Sequence, residues 1–328
     1  MTSAPIDLGI VICTYHRPQL LAATLSSLTA QEIPPGVSVT VHVVDNSDDG
    51  SAASTVAHVA EASPLTIRYV KAHPANISVA RNTGIRASSE PYLAFIDDDE
   101  ICAPGWIAAV ATGLERFPHD VLFGKVVPDF EAPERASAAV RQLFSRELAG
   151  DAGLELQAYG SGKLGSITLA TNNSIFRRAT ALIDDGTDPF DTAFGHGGGE
   201  DYDLFCRLQR RGCRFAWLPE AVVSEHVPLG RCDPEYLRRR FYAGGQAFAA
   251  ALARSSARPG RARAILRLRA LVQTALLALV APVAALKGRD ARLDHAYRLA
   301  GALGKLSFGS IYPIYRRSDP QARLADRG

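Results

Sequence analysis

Short apolar runs rich in β-branched residues alternate with amphipathic stretches through the first half of the chain. Residues 8–13, 37–44, 65–70, 92–96 and 121–127 read as strands, and residues 19–30, 51–62, 77–88 and 104–117 as helices. Repeated strand–helix–strand units predict an α/β fold with a mainly parallel sheet covered by helices on both faces. The second half is less regular. A strand is expected around 166–176, and a glycine-rich turn at 195–199 leads into a helix over 200–211. Short strands at 214–218 and 221–226 and a helix over 234–254 follow, and Pro259 and Gly260 mark residues 258–263 as a linker.

In parallel sheets, ligands bind beyond the carboxyl ends of the strands. Polar runs fall at three such ends: Thr14-Tyr15-His16-Arg17, Asp45-Asn46-Ser47-Asp48-Asp49 and Asp97-Asp98-Asp99-Glu100. Three successive carboxylates repel one another, so a fold keeps them close where a cation cancels their charge. Hard oxygen donors suit Mg(II) or Mn(II), which retain places for substrate phosphates. Such an ion makes a diphosphate a better leaving group. An acidic turn in solvent is the plain alternative.

Glu200 and Asp201 stand where a helix should start. Acids at a helix N-terminus are favourable for structural reasons alone, by roughly 0.3–1 kcal/mol. The functional reading makes Asp201 the general base that removes a proton from an acceptor hydroxyl, with Glu200 binding the acceptor. His226 closes an apolar strand; a lone histidine there is more often a packing residue than a ligand. Arg81-Asn82, in a helical segment, decides nothing unaided.

The chain of 328 residues is 47% hydrophobic and 21% charged, which excludes a disordered or collagen-like class. Its net charge of +2 hides an asymmetry: residues 254–328 hold 15 Lys+Arg against 4 Asp+Glu, leaving 21 against 30 in residues 1–253. The tail carries +11 and the body −9, so the tail's expected partner is anionic. The five cysteines are scattered without C-x-x-C spacing, which argues against a disulfide framework or zinc site and for a reducing compartment. The N-terminus has neither a basic segment nor an apolar core of a signal peptide, so a cytosolic enzyme is expected.

Taken together, residues 10–18 (IVICTYHRP), 43–50 (VVDNSDDG), 78–85 (SVARNTGI), 95–100 (FIDDDE) and 198–208 (GGEDYDLFCRL) resemble the inverting family-2 glycosyltransferases with the GT-A nucleotide-sugar-binding fold. Residues 219–228 (PEAVVSEHVP) add a likeness to bacterial succinoglycan-type exopolysaccharide glycosyltransferases. The resemblance implies that Thr14, Tyr15, Arg17, Asp45, Asn46 and Arg81 bind the nucleotide-sugar, and that Asp97 and Asp98 lie near the ribose and metal. It implies that Asp99, with Asp97, ligates the ion, that His226 completes the metal and diphosphate site, and that Asp201 is the base. His16 replaces a usual Asn, and Asn46 a common second Asp. An Asn carbonyl still accepts a hydrogen bond from a uracil N–H, so a UDP-sugar is the expected donor. No Q-x-x-R-W motif of processive synthases occurs, which implies one sugar per encounter.

Residues 1–253 are thus expected to form the catalytic domain and 254–328 a basic helical tail. Residues 270–286 are mostly apolar and bounded by Arg267, Arg269, Lys287 and Arg289, short of the about 20 residues a spanning helix needs. An in-plane membrane helix fits this pattern, at the cytosolic face of a bacterial inner membrane, with a lipid-linked or growing glycan as acceptor. A core helix is the alternative. Nucleic acid is not an expected partner, because the basic residues mostly lack interleaved aromatics. Two other classes compete with the transferase reading. A nucleotidyltransferase would need a glycine-rich phosphate loop, which residues 10–18 lack; a non-enzymatic nucleotide- or glycan-binding protein would not need Asp201.

Overall fold

The computed structural model describes residues 4–160, 169–182, 187–307 and 310–314. In chain order the elements of the first half are β1 (Ile6–Thr14), α1 (Pro18–Thr29), β2 (Val37–Asp45), α2 (Ala53–Ala62), β3 (Thr66–Lys71), α3 (Ile77–Ala87), β4 (Tyr92–Asp97), β5 (Glu100–Cys102), α4 (Trp106–Arg116) and β6 (Val121–Phe130). Then come α5 (Ala138–Phe144), β7 (Glu155–Leu156), β8 (Ser174–Arg177), α6 (Arg178–Ala181), α7 (Glu200–Arg210), β9 (Phe215–Val227), α8 (Pro234–Arg254), α9 (Pro259–Leu286) and α10 (Arg289–Leu306).

One mostly parallel sheet runs β3-β2-β1-β4-β8-β6-β9-β5, with β7 also on β9. The strands β3, β2, β1 and β4 are parallel, whereas β8 joins β4 and β6 antiparallel and β5 joins β9 antiparallel. The register sets Thr14 opposite Asp45 and Cys13 opposite Asp97, so the polar runs leave the sheet at a common edge.

Two compact units are present. Among the described residues, the first comprises 4–129, 145–160, 169–182, 187–192 and 208–226, and the second 130–144, 193–207, 227–307 and 310–314. The core of the first is apolar: Ile10, Ile12, Val41, Val43 and Ile96 from the strands meet Leu21, Leu25, Trp106 and Val110 from α1 and α4. In the second, Phe130, Val140, Phe144, Leu237 and Tyr297 form a smaller core, and α10 packs on α8 and α9. A Cβ on Gly245 of α8 would lie 2.1 Å from the carbonyl oxygen of Gly301, so only glycine permits this helix crossing.

The expected domain boundary at 253 therefore falls inside the second unit, because α8 buries its apolar face with α10. The strands expected at 214–218 and 221–226 are one strand, β9, with Pro219 and Glu220 half-buried and exposed within it. Residues 258–263 are not a linker. Pro259 occupies the first turn of α9, where its missing N–H costs nothing. Of the strand expected at 166–176, residues 166–168 lie outside the described residues, and β8 begins only at Ser174. All five cysteines are free thiols.

Candidate active site

Between β4 and β5 the chain turns through Asp97, Asp98 and Asp99, and several buried groups fix that turn. Glu100 Oε2 accepts the N–H of Asp97 at 2.9 Å, and its Oε1 accepts Asn172 Nδ2 at 3.0 Å. Burial pushes the Glu100 carboxyl well above the usual range, and Asp97 and Glu225 add to the effect. Asn172 is itself tied down, since Arg146 donates to the carbonyls of Gly124 (2.8 Å), Asn172 and Asn173 (2.9 Å).

Asp98 is held on three sides. Thr14 Oγ1 donates to its Oδ2 at 2.7 Å, Thr24 Oγ1 to its carbonyl at 2.9 Å, and Arg17 Nη1 to its Oδ1 at 3.2 Å. Burial pushes its carboxyl up to about 6, against the pull of Arg17. The same Arg17 nitrogen lies 3.1 Å from Asp99 Oδ2. The carbonyl of Asp99 accepts the backbone N–H of His226 at 2.9 Å, so the antiparallel β5–β9 pairing delivers His226 to the turn.

The other nucleotide-side candidates flank this turn in the first unit. Asp45 is fully buried; its oxygens accept the N–H groups of Ser47 and Ala52 (both 2.9 Å) and the hydroxyl of Tyr69 (3.0 Å). Burial alone would raise the Asp45 carboxyl, but these hydrogen bonds outweigh it and hold it below the ordinary value. Asn46 donates to the carbonyls of Ala72 (2.9 Å) and Pro74 (3.1 Å) and accepts the N–H of Asn76 (2.7 Å). Its amide thus stitches the β2 end to the segment before α3. Tyr15 packs edge-on to His16, whose φ is +54°. Arg81, buried in α3, lies 4.0 Å from Asp97 Oδ1 and over the Phe190 ring. Asn82 beside it bonds both backbone groups of Phe190, so it is a fold residue and not a surface one.

Glu200 and Asp201 open α7 in the second unit. Gly199 before them has φ +97°, and a Cβ there would lie 2.4 Å from that of Ala247. The sharp entry to the helix therefore requires glycine. Glu200 is buried, whereas Asp201 is half-buried and its Oδ1 accepts the N–H of Tyr202 at 2.7 Å. Asp203, fully buried, pairs with Arg207 at 2.8 Å and is a structural acid.

The carboxylates of Asp97 and Asp99 are hard oxygen donors of the kind a divalent ion takes, and the guanidinium drawn against Asp98 and Asp99 marks the same demand for positive charge. Among the described residues, no three His, Cys, Asp or Glu side chains are grouped as a ligand set. Sequence reasoning gave no role to Glu100, Asn172, Thr24 or Arg146. Only Glu100 had a signal, as the fourth acid of the run; the others become visible through contacts distant in sequence.

A mostly parallel sheet that carries a buried aspartate turn at the carboxyl end of its fourth strand defines a GT-A type glycosyltransferase fold. The chain belongs to glycosyl transferase family 2, whose model matches residues 9–180, and it is a glycosyltransferase. It is 32% identical over 246 residues to the succinoglycan biosynthesis protein ExoM of Rhizobium meliloti (strain 1021), covering 75% of each chain. It is 27% identical to the chondroitin synthase of Escherichia coli over 68% of this chain and 35% of that one. Among solved structures, the mannosyltransferase PcManGT of Pyrobaculum calidifontis in complex with GDP-Man and Mn2+ shares the fold with TM-score 0.56 at 20% identity, over 93% of this chain and 88% of that one. Staphylococcus aureus TarS 1–349 in complex with UDP-GlcNAc does so with TM-score 0.54 at 15% identity, over 76% and 71%.

Proposed function

We propose that this glycosyltransferase is inverting, non-processive and metal-dependent, and that it moves one sugar from a UDP-sugar to a lipid-linked or growing glycan in cell-surface polysaccharide synthesis. The observation that carries this reading is the aspartate turn, held by Thr14, Thr24 and Arg17 at the carboxyl ends of the sheet strands, with His226 brought to Asp99. Asp201 takes the proton of the acceptor hydroxyl as its oxygen attacks the anomeric carbon, and the bond to the diphosphate breaks on the opposite face. Asp99, Asp97 and His226 would hold Mg(II) or Mn(II), which when bound stabilises charge on the departing diphosphate. Thr14, Tyr15, Arg17, Asp45, Asn46, Arg81 and Asp98 bind the nucleotide-sugar, and Glu200 binds the acceptor. The succinoglycan and chondroitin relatives support polysaccharide synthesis, and the UDP-GlcNAc and GDP-Man complexes support a nucleotide-sugar donor.

Helix α9 supports work at a membrane. It is long and apolar enough to cross a bilayer by length and composition, and Leu268, Leu271, Val272, Leu276, Leu279, Val280, Val283 and Leu286 are all exposed. Leu268, Val272, Leu276, Leu279, Val283 and Leu286 recur at three- and four-residue steps and so form one apolar stripe, which Leu271 and Val280 widen. Its other side packs on α8 and α10, and α10 carries Arg289, Asp290, Arg292, Asp294, Arg298 and Lys305. Spanning would carry those charges into hydrocarbon, so α9 lies in the interface plane, at the cytosolic face of the inner membrane.

The deciding experiment is donor hydrolysis by the purified protein, with UDP-, GDP- and dTDP-sugars and Mn(II) or Mg(II), reading nucleoside diphosphate release. Metal-dependent release from one donor, abolished in Asp99→Ala, supports the reading. Absence of both release and metal-dependent nucleotide binding overturns it.

A further inference from the structure

One nitrogen of Arg17 sits between two buried carboxylates, 3.2 Å from Asp98 Oδ1 and 3.1 Å from Asp99 Oδ2. The placement is built in. The carbonyl of Arg17 accepts the N–H of Leu21 at 3.0 Å and Pro18 follows in the first turn of α1, so the backbone that carries the guanidinium is fixed. Asp98 is fixed in turn by Thr14 and Thr24. Asp99 is the residue expected to be the main ligand of the ion, and Arg17 already holds one of its oxygens. A guanidinium and a divalent ion on adjacent oxygens repel strongly in a site this buried.

We propose that Arg17 is an internal counter-cation that suppresses metal binding in the donor-free enzyme and makes the ion and the nucleoside diphosphate bind together. The inference rests on the metal-dependent reading above and adds the order in which the site is filled. A diphosphate offers the guanidinium oxygens that match its planar fork better than two separate carboxylates do. When a diphosphate arrives, Arg17 turns to it and Asp99 is released to the ion. Without the diphosphate, the ion must enter against a resident positive charge.

The test is Mn(II) binding to the full chain, followed by electron paramagnetic resonance and by calorimetry, with and without UDP. Arg17→Gln binds Mn(II) alone about tenfold or more tightly than the wild type, since a positive charge within a few ångströms is removed from a poorly screened site. The factor by which UDP tightens Mn(II) shrinks accordingly, and Mn(II) raises the melting temperature of the variant more than that of the wild type. Should Arg17→Gln not fold, Arg17→Met carries the test: it keeps an apolar stem, removes the charge, and is expected to show the same gain in Mn(II) affinity. Unchanged or weaker binding of Mn(II) alone, in a variant whose parent binds Mn(II) with UDP, overturns the counter-cation role. Absence of Mn(II) binding to either chain with UDP present overturns the metal reading itself, a separate result.

Discussion

The backbone N–H of His226 donates to the carbonyl oxygen of Asp99 at 2.9 Å, which fastens the far end of β9 to the aspartate turn. The bond uses no side chain, so His226→Ala should keep the fold. If the imidazole helps to hold the ion, the same variant loses about 10- to 100-fold or more in metal affinity or activity, since removing an outer-shell partner of a ligand alone costs that much. Titration of Mn(II) against activity, beside a thermal melt, separates the two; unchanged metal dependence would return His226 to a packing role.

Asp201→Asn should lower kcat by a factor of about 10²–10⁴ and leave nucleotide binding intact, as expected when a general base is lost. A fluorescence titration with UDP, run beside the transfer assay, checks this. If transfer persists at the wild-type rate, Asp201 is only an N-terminal acid of α7.

Glu100→Ala strips Asp97 N–H and Asn172 Nδ2 of their acceptor and leaves a cavity in a fully buried place. We expect a loss of about 2–4 kcal/mol from the unsatisfied donors and the void. Urea denaturation measures it, and the KM for donor should rise as the aspartate turn loosens.

Asp45 gives a pH signature. Its carboxyl is held below the ordinary value in the fold, so between that folded value and the ordinary one, about 3.9, the unfolded chain binds more protons. The stabilisation is present above the ordinary value and is lost as pH falls through the folded one. Asp45→Asn should therefore be less stable than the wild type at neutral pH, and the gap should close under acid. Melts from pH 7 down to about 3 test this; a gap independent of pH would mean that steric fit, not charge, sets the effect.

The exposed stripe of α9 should bind vesicles rich in anionic lipid, and salt should weaken that binding. Leu276→Ser with Leu279→Ser removes two of its exposed side chains and should cut co-sedimentation several-fold without changing soluble-donor hydrolysis. Equal binding by the double variant would leave the stripe without a membrane role.

Much of the candidate site is legible in the amino-acid sequence, because its acids fall at strand ends. Thr14, Asp45 and Asp97 follow runs whose period and β-branched content are local properties, and the register of β1 with β2 and β4 only aligns them. The glycines before Glu200 announce a sharp turn for the same local reason. By contrast, the break expected at 258–263 fails because proline disrupts a helix interior but suits a first turn, and composition alone does not distinguish the two positions. The charge contrast that changes at 253 follows the chain, whereas the packing of α8 on α10 joins the two sides of that position.

The α/β alternation, the strand ends where the acids gather and the apolar character of residues 270–286 are local properties of the chain, since each follows from periodicity or chain direction over a few residues. Long-range packing is what rests Arg17 on Asp98 and Asp99, buries Glu100 at the turn, brings the backbone of His226 to Asp99 and leaves the apolar stripe of α9 exposed. Each of these joins segments far apart in the chain. The residues meet because strand pairing and helix packing bring them together, and no local pattern encodes that meeting.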